Sequence, residues 1–294
     1  MLLATQTDRI GSYFSDFDAI EMIADAGFDA LDYSMFRMSK NDDILNSDDF
    51  KPYVLDLLET AKRKNITFTQ GHAPFSFSRD DGEKAFIDIN LKRAKRSIEI
   101  ASILGIDILV VHPLHFRDYY KNKEFLKEVN MNYYRELIPY CEKYGVKIAC
   151  ENMWQYNKEK SLIVDSVCSD PFEFSEYIDE ISSEFLVGCL DLGHCPLTNR
   201  NADDCLKIMG SSRVKALHVH DNDLFSDSHT LPFFGKTDWN AITKSLADTG
   251  YSGNFTFEAD NFLNPFTDKD GAQKALEVME YIGRKLIKQI EEAE

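Results

Sequence analysis

Positive charge is scarce in this sequence of 294 residues. It has 33 lysine and arginine residues against 50 aspartate and glutamate residues, and its formal net charge is −17. Proteins that bind nucleic acids without sequence preference neutralise backbone phosphates with clustered lysine and arginine side chains. The charge balance therefore argues against a nucleic-acid partner, although it is compatible with a local basic patch.

Long apolar runs and paired cysteines are also missing. No uninterrupted apolar stretch approaches the length that crosses a membrane, and the first residues, MLLATQTDRI, lack the basic and apolar segments of a signal peptide. The six cysteines form no CxxC pair, and Cys150, Cys189 and Cys205 lie in or beside apolar runs. These features predict a cytoplasmic protein with reduced core cysteines and no membrane partner.

No low-complexity segment interrupts the chain, and one pattern recurs along it. An amphipathic segment is followed by a glycine and then by a short apolar strand, as in EMIADAGFDALDY, IEIASILGIDILVVH, LIPYCEKYGVKIACEN and SLADTGYSGNFTFEAD. The glycines of these copies are Gly27, Gly105, Gly145 and Gly250. Each lies where a helix would end in a left-handed cap before the chain enters a strand.

Applied to the whole chain, this pattern gives eight strand–helix units. Strands are predicted near residues 2–6, 28–33, 66–71, 107–112, 146–151, 186–191, 214–219 and 254–259. Helices are predicted near 16–26, 50–64, 83–104, 123–144, 171–183, 201–210, 239–249 and 269–291. The strands are almost continuously apolar, which is typical of a parallel sheet covered on both faces.

We therefore predict an α/β fold in which residues 1–294 form a single (β/α)8 TIM-barrel domain. A doubly wound open sheet is the alternative. It is the weaker one, because no glycine-rich phosphate loop follows the first predicted strand.

Histidines and carboxylates accumulate at one end of the predicted strands. All seven histidines fall at or just after a strand's carboxyl end: His72, His112, His115, His194, His218, His220 and His229. Carboxylates share this position: Glu151, Asp191 and Glu258 close strands, and Asp221, Asp223 and Asp227 follow the seventh strand. The carboxyl ends of barrel strands meet at one face, and a carboxylate there needs an ion partner when it is buried. The pattern predicts a divalent-metal site.

In chain order these residues read H…H-P…E-N…D-x-G-H…H-x-H-D-N…D-x-H…E, which resembles the xylose isomerase-like barrel superfamily. That group includes sugar isomerases, ketose 3-epimerases, inosose dehydratases and zinc-dependent abasic-site endonucleases of the endonuclease IV type. The resemblance extends from the third predicted strand to the eighth. It implies one divalent ion, manganese, magnesium, cobalt or zinc, held by Glu151, Asp191, His218 and Glu258.

The resemblance also implies that Glu151 and Glu258 exchange protons with the substrate, while His194 hydrogen-bonds a substrate oxygen. The residue types suit this chemistry. A cation bound to neighbouring carbonyl and hydroxyl oxygens acidifies the C–H bond between them and stabilises the enediolate that forms. A carboxylate on each face of that carbon can remove a proton from one side and return one from the other. We therefore expect a sugar or cyclitol isomerase or epimerase.

The endonuclease type remains an alternative, since its three-zinc cluster also finds matching residues. These are His72, His112, Glu151, Asp191, His194, His218, Asp227, His229 and Glu258. The acidity of the chain would repel a DNA duplex, and the rim loops contain no run of arginine or lysine. A barrel that binds a sugar or a metal without turnover is a third alternative, against which the Glu151 and Glu258 pair argues.

Aromatic side chains and scattered cations occupy the loops after the predicted strands. They are Phe36, Arg37, Phe75, Phe77, Arg79, Phe116, Arg117, Tyr119, Tyr120, Trp154, Tyr156, Phe233, Phe234 and Lys236. Such side chains suit a small sugar or polyol, but they could equally pack loops or a second subunit of a homo-oligomer. The residues predicted to contact the substrate are His72, His112, Trp154, His220 and Lys236.

One departure from the family pattern bears on the substrate. Ketose 3-epimerases usually carry an arginine shortly after the histidine of the seventh strand, where this chain has Asp223-Leu224-Phe225. This difference argues against a free-ketose epimerase specifically and leaves the wider isomerase class open.

Overall fold

The computed structural model describes residues 1–75 and 82–293. Within them the strands are β1 (Leu3–Gln6), β2 (Ala30–Ser34), β3 (Thr67–His72), β4 (Ile108–Val110), β5 (Lys147–Glu151), β6 (Trp154–Asn157), β7 (Leu162–Asp165), β8 (Leu186–Asp191), β9 (Val214–His218) and β10 (Phe255–Phe257). The α-helices are α1 (Asp8–Tyr13), α2 (Asp16–Asp25), α3 (Phe50–Arg63), α4 (Glu83–Leu104), α5 (Tyr119–Tyr144), α6 (Pro171–Ile181), α7 (His194–Leu197), α8 (Ala202–Arg213), α9 (Trp239–Asp248) and α10 (Lys269–Ala293). Short 3-10 helices cover Phe36–Ser39, Ile44–Asn46 and Asp260–Leu263.

Eight of the strands form one parallel sheet in the order β10-β1-β2-β3-β4-β5-β8-β9. The sheet closes on itself where Val219 pairs with Phe257. There the N–H of Val219 donates to the carbonyl of Thr256 at 2.9 Å, and the N–H of Glu258 donates to the carbonyl of Val219 at 3.1 Å. This closure confirms the predicted (β/α)8 barrel and excludes the open, doubly wound sheet.

Local features of the sequence determine where several helices begin and end. Gly105 and Gly145 follow α4 and α5 with φ angles of 76° and 70°, a region that a residue with a β-carbon disfavours. At the start of α6, the Asp170 carboxylate accepts hydrogen bonds from the N–H groups of Phe172 and Glu173. The helices therefore end and begin close to the predicted positions.

Some elements differ from the prediction. The antiparallel hairpin of β6 and β7, the helix α1 and the helix α7 are absent from the predicted pattern, because four to six residues are too few to show a period. Helix α5 begins at Tyr119 instead of near 123, and Asn122 interrupts it with non-helical backbone angles. Helix α8 continues past 210 to Arg213.

The interior of the barrel has an apolar side and a polar side. Val110, Ala149, Val187, Cys189 and Ala216, from β4, β5, β8 and β9, form a small apolar cluster. On the other side, Nε2 of Gln70 in β3 donates to Oδ2 of Asp32 in β2 at 2.8 Å, and Thr256 in β10 donates to Gln70 at 3.4 Å. These polar residues are buried and lie beneath the ligand cluster described next.

Composition led to two further predictions, one about reduced cysteines and one about membrane-spanning segments. The six cysteines, Cys141, Cys150, Cys168, Cys189, Cys195 and Cys205, are buried free thiols, as predicted. Among the helices of residues 1–75 and 82–293, none combines the length and the apolar character that crossing a bilayer requires.

Candidate metal centre

Four predicted ligands meet at the carboxyl end of the barrel. Glu151 ends β5, Asp191 ends β8, His218 ends β9 and Glu258 follows β10. Their ligand atoms all lie within 4.8 Å of one another, and all four side chains are buried. Nδ1 of His218 is 3.2 Å from Oε1 of Glu151 and 2.8 Å from Oε2 of Glu258. We call these four residues the tetrad.

Asn152, the residue after β5, holds two parts of the site in register. Its Oδ1 accepts from the N–H of Asp191 at 2.7 Å, and its Nδ2 donates to the carbonyl of Asp191 at 3.0 Å. The carbonyl of Asn152 lies 2.8 Å from Nδ1 of His194, and the N–H of His194 donates to Oδ1 of Asp191 at 2.7 Å. The E-N and D-x-G-H motifs of the sequence are thus tied together.

A second ligand group shares Glu151 with the tetrad. It consists of His72, His112 and Glu151, whose ligand atoms also lie within 4.8 Å of one another. Nε2 of His112 is 3.0 Å from Oε2 of Glu151 and 3.1 Å from Nε2 of His72. Two ligands of a tetrahedral zinc ion, each about 2.0–2.1 Å from the metal, are about 3.3 Å apart. The observed spacings fit the edges of such a polyhedron.

A third ligand group is carried by the loops after β8 and β9. It contains His194, His220, Asp227 and His229. Nε2 of His229 is 3.0 Å from Oδ2 of Asp227, and Nε2 of His194 is 3.5 Å from the same oxygen. The His220 ring stacks on the His229 ring at 4.1 Å, and its Nε2 lies 3.1 Å from Oδ1 of Asp191 in the tetrad.

Asp221 and Asp223, which are near these ligands in sequence, do not join them. The fully buried carboxylate of Asp221 instead accepts four hydrogen bonds that fix the loop after β9. The donors are the N–H groups of Asn222, Phe233 and Thr237 and Nε1 of Trp239. Asp223 is exposed and accepts from the backbone of its own turn.

Opposite charges stabilise one another within the cluster. Burial raises the pKa of Glu151, but the imidazoles of His218 and His112 outweigh it and hold that pKa well below its ordinary value. Burial also raises the pKa of Glu258, but the His218 imidazole outweighs this effect and lowers that pKa below its ordinary value. For His218 the cost of burial is outweighed by its carboxylate neighbours, which raise its pKa well above 6.5.

The third group shows the same balance. Burial lowers the pKa of His229, but the Asp227 carboxylate raises it to about 10. In return, the imidazoles of His194 and His229 hold the pKa of Asp227 well below its ordinary value, against the effect of burial. Without a cation, these carboxylates are balanced by protons on imidazole nitrogens.

The donor set fits a divalent cation. Oδ1 of Asp227 is buried and accepts no hydrogen bond from any residue that the structure describes, and Oε2 of Glu151 has only the imidazoles of His112 and His72 close to it, at 3.0 and 3.6 Å. A buried carboxylate oxygen without a donor is costly unless a cation balances it. Imidazole nitrogens with carboxylate oxygens suit zinc, manganese and cobalt, and the carboxylates alone suit magnesium.

A cavity of about 460 Å³ opens above the cluster. Glu151, Asp227 and Glu258 form part of its floor, together with His112, His194 and His229. Its aromatic walls are Phe36, Phe75, Trp154 and Tyr156. Nε1 of Trp154 donates to Oδ2 of Asp227 at 3.0 Å, so the hairpin of β6 and β7 is joined to the third ligand group.

Two residues predicted to contact the substrate lie elsewhere. His220 is completely buried, and Lys236 lies over the ring of Phe225 in a separate cavity of the rim. Neither lines the cavity above the cluster. His72 is also completely buried. It contributes Nε2 to the second ligand group, 3.1 Å from Nε2 of His112 and 3.6 Å from Oε2 of Glu151.

The other rim residues predicted from the sequence lie in a neighbouring cavity, pair with other side chains or are exposed. His115, Phe116 and Arg117 line a neighbouring cavity of about 480 Å³, which His115 shares with the first. Arg37 pairs with Asp16 and Asp43, and the hydroxyl of Tyr119 donates to Glu173. The hydroxyl of Tyr120 donates to Asp165, and Phe233 and Phe234 are exposed. Phe77 and Arg79 lie outside the described residues.

Several polar residues at the site are absent from the predicted set. Nε2 of Gln6 donates to Oε1 of Glu258 at 2.8 Å, and Asp32 faces His218 from inside the barrel. Asp8 and Asp260 line the cavity. Gln6 and Asp32 each place a polar side chain within a predicted strand, which is the signal that could have identified them.

The comparisons with known proteins agree with this architecture. A family model described as a xylose isomerase-like TIM barrel matches residues 20–282. The chain belongs to this family. An uncharacterized protein of Sinorhizobium fredii is 31% identical over 167 residues, which are 56% of this chain and 50% of that protein, so the chain matches half the length of this relative. The D-psicose 3-epimerase of Enterocloster bolteae is 23% identical over 248 residues, 82% of this chain and 76% of the epimerase.

Solved structures share the fold of this xylose isomerase-like barrel over almost its whole length. A D-tagatose 3-epimerase-like protein superposes with a TM-score of 0.75 at 21% identity, covering 99% of this chain and 100% of that one. The IolI protein with a bound zinc atom superposes with a TM-score of 0.73 at 19% identity, covering 99% of both chains. At these identities the likeness concerns the fold.

Proposed function

We propose that this protein is a divalent-metal-dependent sugar or cyclitol isomerase or epimerase, formed by a single barrel domain. The observation that carries the proposal is the position of Glu151 and Glu258, whose carboxylates lie 3.2 and 2.8 Å from the same Nδ1 atom of His218 and line the same cavity. The similarity to a D-psicose 3-epimerase and to a D-tagatose 3-epimerase-like protein supports the same class.

The tetrad would hold the ion, which we expect to be manganese, zinc, magnesium or cobalt. The similar IolI protein was solved with a bound zinc atom, which supports metal binding by a barrel of this fold. When bound, such an ion polarises the substrate carbonyl and acidifies the adjacent C–H bond. Glu151 and Glu258 can act as negatively charged ligands, since their pKa values are lowered and both are ionised at neutral pH.

The chain's own residues have separate tasks in this reaction. Glu151 and Glu258, from β5 and the end of β10, remove and return the proton on opposite faces of the reacting carbon. His194, with its pKa raised well above 6.5 by carboxylate neighbours despite its burial, donates a hydrogen bond to a substrate oxygen. Phe36, Phe75 and Trp154 pack against the C–H faces of the substrate.

Three further predictions accompany this proposal. The aromatic cavity favours a small sugar or polyol as the partner, and the net charge of −17 disfavours a nucleic acid. The buried free thiols support a reducing compartment, the cytoplasm. Exposed aromatic residues such as Phe225 and Phe234 leave room for a subunit contact in a homo-oligomer.

The direct test is proton exchange. The protein loaded with manganese, cobalt or zinc is incubated in deuterated water with D-psicose, D-tagatose, L-ribulose or an inosose, and deuterium next to the carbonyl is followed by mass spectrometry. We expect incorporation with at least one of these compounds, lost after chelation and regained when metal is returned. Absence of exchange across the panel, with every metal, would contradict the proposal.

A zinc-dependent phosphodiesterase of the abasic-site endonuclease type is the second candidate. The observation that favours it is that all nine residues of the predicted three-zinc set belong to the tetrad or to the second or third ligand group, of which the tetrad and the second group share Glu151. Metal content and cleavage of an abasic duplex discriminate the two. Three zinc ions per chain with cleavage of the duplex would favour the phosphodiesterase, whereas one ion per chain with proton exchange would favour the isomerase.

A further inference from the structure

A second cavity of about 480 Å³ borders the one above the cluster, and the proposed reaction does not use it. The residues that line both cavities are Phe75, His112, His115, Gln155 and Tyr156. The boundary therefore consists of side chains from the loops after β3 and β4 and from the hairpin of β6 and β7. Each cavity alone has the volume of a small-ligand site, about 300–1,000 Å³. A single small sugar at the metal centre would occupy the first cavity and would not account for the second.

Tyr133 carries the most informative polar group of the second cavity. This residue of α5 lines the cavity and is 5% exposed. Its hydroxyl hydrogen-bonds to no side chain or backbone group within residues 1–75 and 82–293, and, unlike the hydroxyl of Tyr177, it is not sealed from solvent. The hydroxyl of the adjacent Tyr134, in contrast, donates to the carbonyl of Val111 at 2.9 Å. Because a hydroxyl at this depth normally has a partner, the missing partner would be a molecule in the cavity.

Two amide side chains of the second cavity have one end fixed by the backbone and the other end unpaired. Nδ2 of Asn90, a residue 4% exposed, donates to the carbonyl of Phe86 at 2.8 Å, which leaves Oδ1 as an acceptor. Oε1 of Gln155 accepts from the N–H of Tyr119 at 3.3 Å, which leaves Nε2 as a donor at the boundary between the cavities. Neither unpaired end has a partner in the described part of the chain, and neither is sealed from solvent.

These three polar groups suit a sugar. They are uncharged, and they supply a donor, an acceptor and a hydroxyl that can act as either. Sugar hydroxyls can pair with all three, since each donates one hydrogen bond and accepts others. The rings of Phe86, Phe116 and Tyr156 line the same cavity, and aromatic rings pack against the C–H faces of a hexose.

We propose that the second cavity is a subsite for a further sugar unit, so that the substrate is a glycoside of two sugar units and not a free monosaccharide. This inference rests on the proposed isomerase or epimerase function and names its substrate class. The reacting sugar occupies the cavity above the cluster, and its glycosidic bond crosses the boundary beside Gln155. The segment Asp223-Leu224-Phe225, which lacks the arginine of free-ketose 3-epimerases, agrees with this substrate class.

The test compares D-fructose with lactulose, turanose and isomaltulose, in which a hexose is joined to D-fructose at different hydroxyl groups. Equilibrium binding to the manganese-loaded protein is measured by calorimetry for the native chain, for Tyr133→Phe and for Asn90→Leu. Both residues line the second cavity and not the first. Tyr281→Phe serves as the control, because it removes a hydroxyl from an exposed tyrosine of α10. Thermal unfolding of each variant shows that the fold is retained.

We expect the native chain to bind at least one of the disaccharides about tenfold more tightly than D-fructose, as one or two additional hydrogen bonds would provide. Each substitution should weaken binding of that disaccharide about three- to tenfold, the effect of losing one hydrogen bond, and should change D-fructose binding much less. Tyr281→Phe should leave both affinities unchanged. Because the hydroxyl of Tyr133 has no partner in the described part of the chain, Tyr133→Phe should not lower the unfolding temperature, so weaker binding would not arise from a loss of structure.

Binding of no disaccharide more tightly than D-fructose, or disaccharide binding that neither Tyr133→Phe nor Asn90→Leu weakens, would overturn the subsite. The proposed function is judged separately by deuterium exchange, with the disaccharides added to the panel. Tight disaccharide binding that depends on Tyr133, without exchange of any sugar, would leave the subsite in place and refute the isomerase. Exchange of the monosaccharides, without preferential binding of any disaccharide, would do the reverse.

Discussion

The imidazole of His218 lies between the candidate metal ligands and a carboxylate inside the barrel. Its Nδ1 faces Glu151 and Glu258, and its Nε2 is 3.6 Å from Oδ2 of Asp32. His218 and Asp32 are both completely buried, and Gln70 holds the same Asp32 oxygen at 2.8 Å. At 3.6 Å the Asp32 oxygen makes no hydrogen bond to Nε2, for which no partner lies within residues 1–75 and 82–293, but its negative charge helps to raise the pKa of His218 and favours this orientation of the ring.

Replacing Asp32 should therefore weaken metal binding although it touches no ion. We expect Asp32→Asn to lower metal affinity about 10- to 100-fold, in the range found for such supporting residues. Competition with a chromophoric chelator measures the affinity, and Asp42→Asn, at an exposed aspartate, is the control. Unchanged affinity in a folded Asp32→Asn protein would show that the orientation of His218 depends on its other contacts.

Glu151 and Glu258 should be essential for turnover and dispensable for the fold. Both Glu151→Gln and Glu258→Gln should reduce the deuterium exchange rate by at least 10³-fold, since each removes a proton-transfer group and a ligand. Glu291→Gln, an exposed glutamate of α10, should have no effect. The measurement is exchange at saturating metal, together with circular dichroism. Full activity of either variant would remove that residue from the mechanism.

Much of the barrel and of its ligand set could be predicted, because these features depend on local sequence signals. Gly105 and Gly145 end the helices α4 and α5. The histidines follow the carboxyl ends of strands, and in a barrel these ends all lie at one face. The strand–helix alternation alone predicts the convergence of Glu151 with His218, which are 67 residues apart in the chain.

The residues that sequence reasoning misses depend on tertiary context. The acceptor role of Asp221 becomes visible only when Trp239 and Phe233 fold back onto it, so its position within an HxHD motif suggested a ligand instead. Lys236 looked like a substrate-facing cation, but the course of the loop after β9 takes it to Phe225.

Metal binding should become tighter as the pH rises from 6 to 9. The Asp227 carboxylate raises the pKa of His229 to about 10 despite its burial, so this imidazole holds a proton at neutral pH, as His218 does. A cation must displace these protons, whereas Glu151 and Asp227, with lowered pKa values, hold none to release. Affinity should rise about tenfold per pH unit for each proton displaced.

Cobalt titrations at several pH values, with calorimetry in buffers of different protonation enthalpy, count the released protons. If an ion occupies the third ligand group, the His229→Gln variant should release about one proton fewer than the native chain. Affinity that is flat with pH would contradict the assigned protonation states of His218 and His229.

The loop after β9 should lose its ligand geometry when Asp221 is changed. Each carboxylate oxygen of Asp221 accepts two N–H donors, so the amide in Asp221→Asn would turn its NH2 group toward one pair of them. A buried donor without an acceptor costs about 1–3 kcal/mol, and two are left here, which predicts a loss of about 2–6 kcal/mol in unfolding free energy.

The loop carries Asp227 and His229 but not the tetrad, so the loss should be selective. Metal analysis of Asp221→Asn should show the tetrad ion retained and any ion at the third group lost, while Trp239→Phe, which removes one donor and leaves the carboxylate, should keep both. Loss of the tetrad ion with the loop would instead mean that His220 and Asp191, 3.1 Å apart, couple the two ligand groups into one unit.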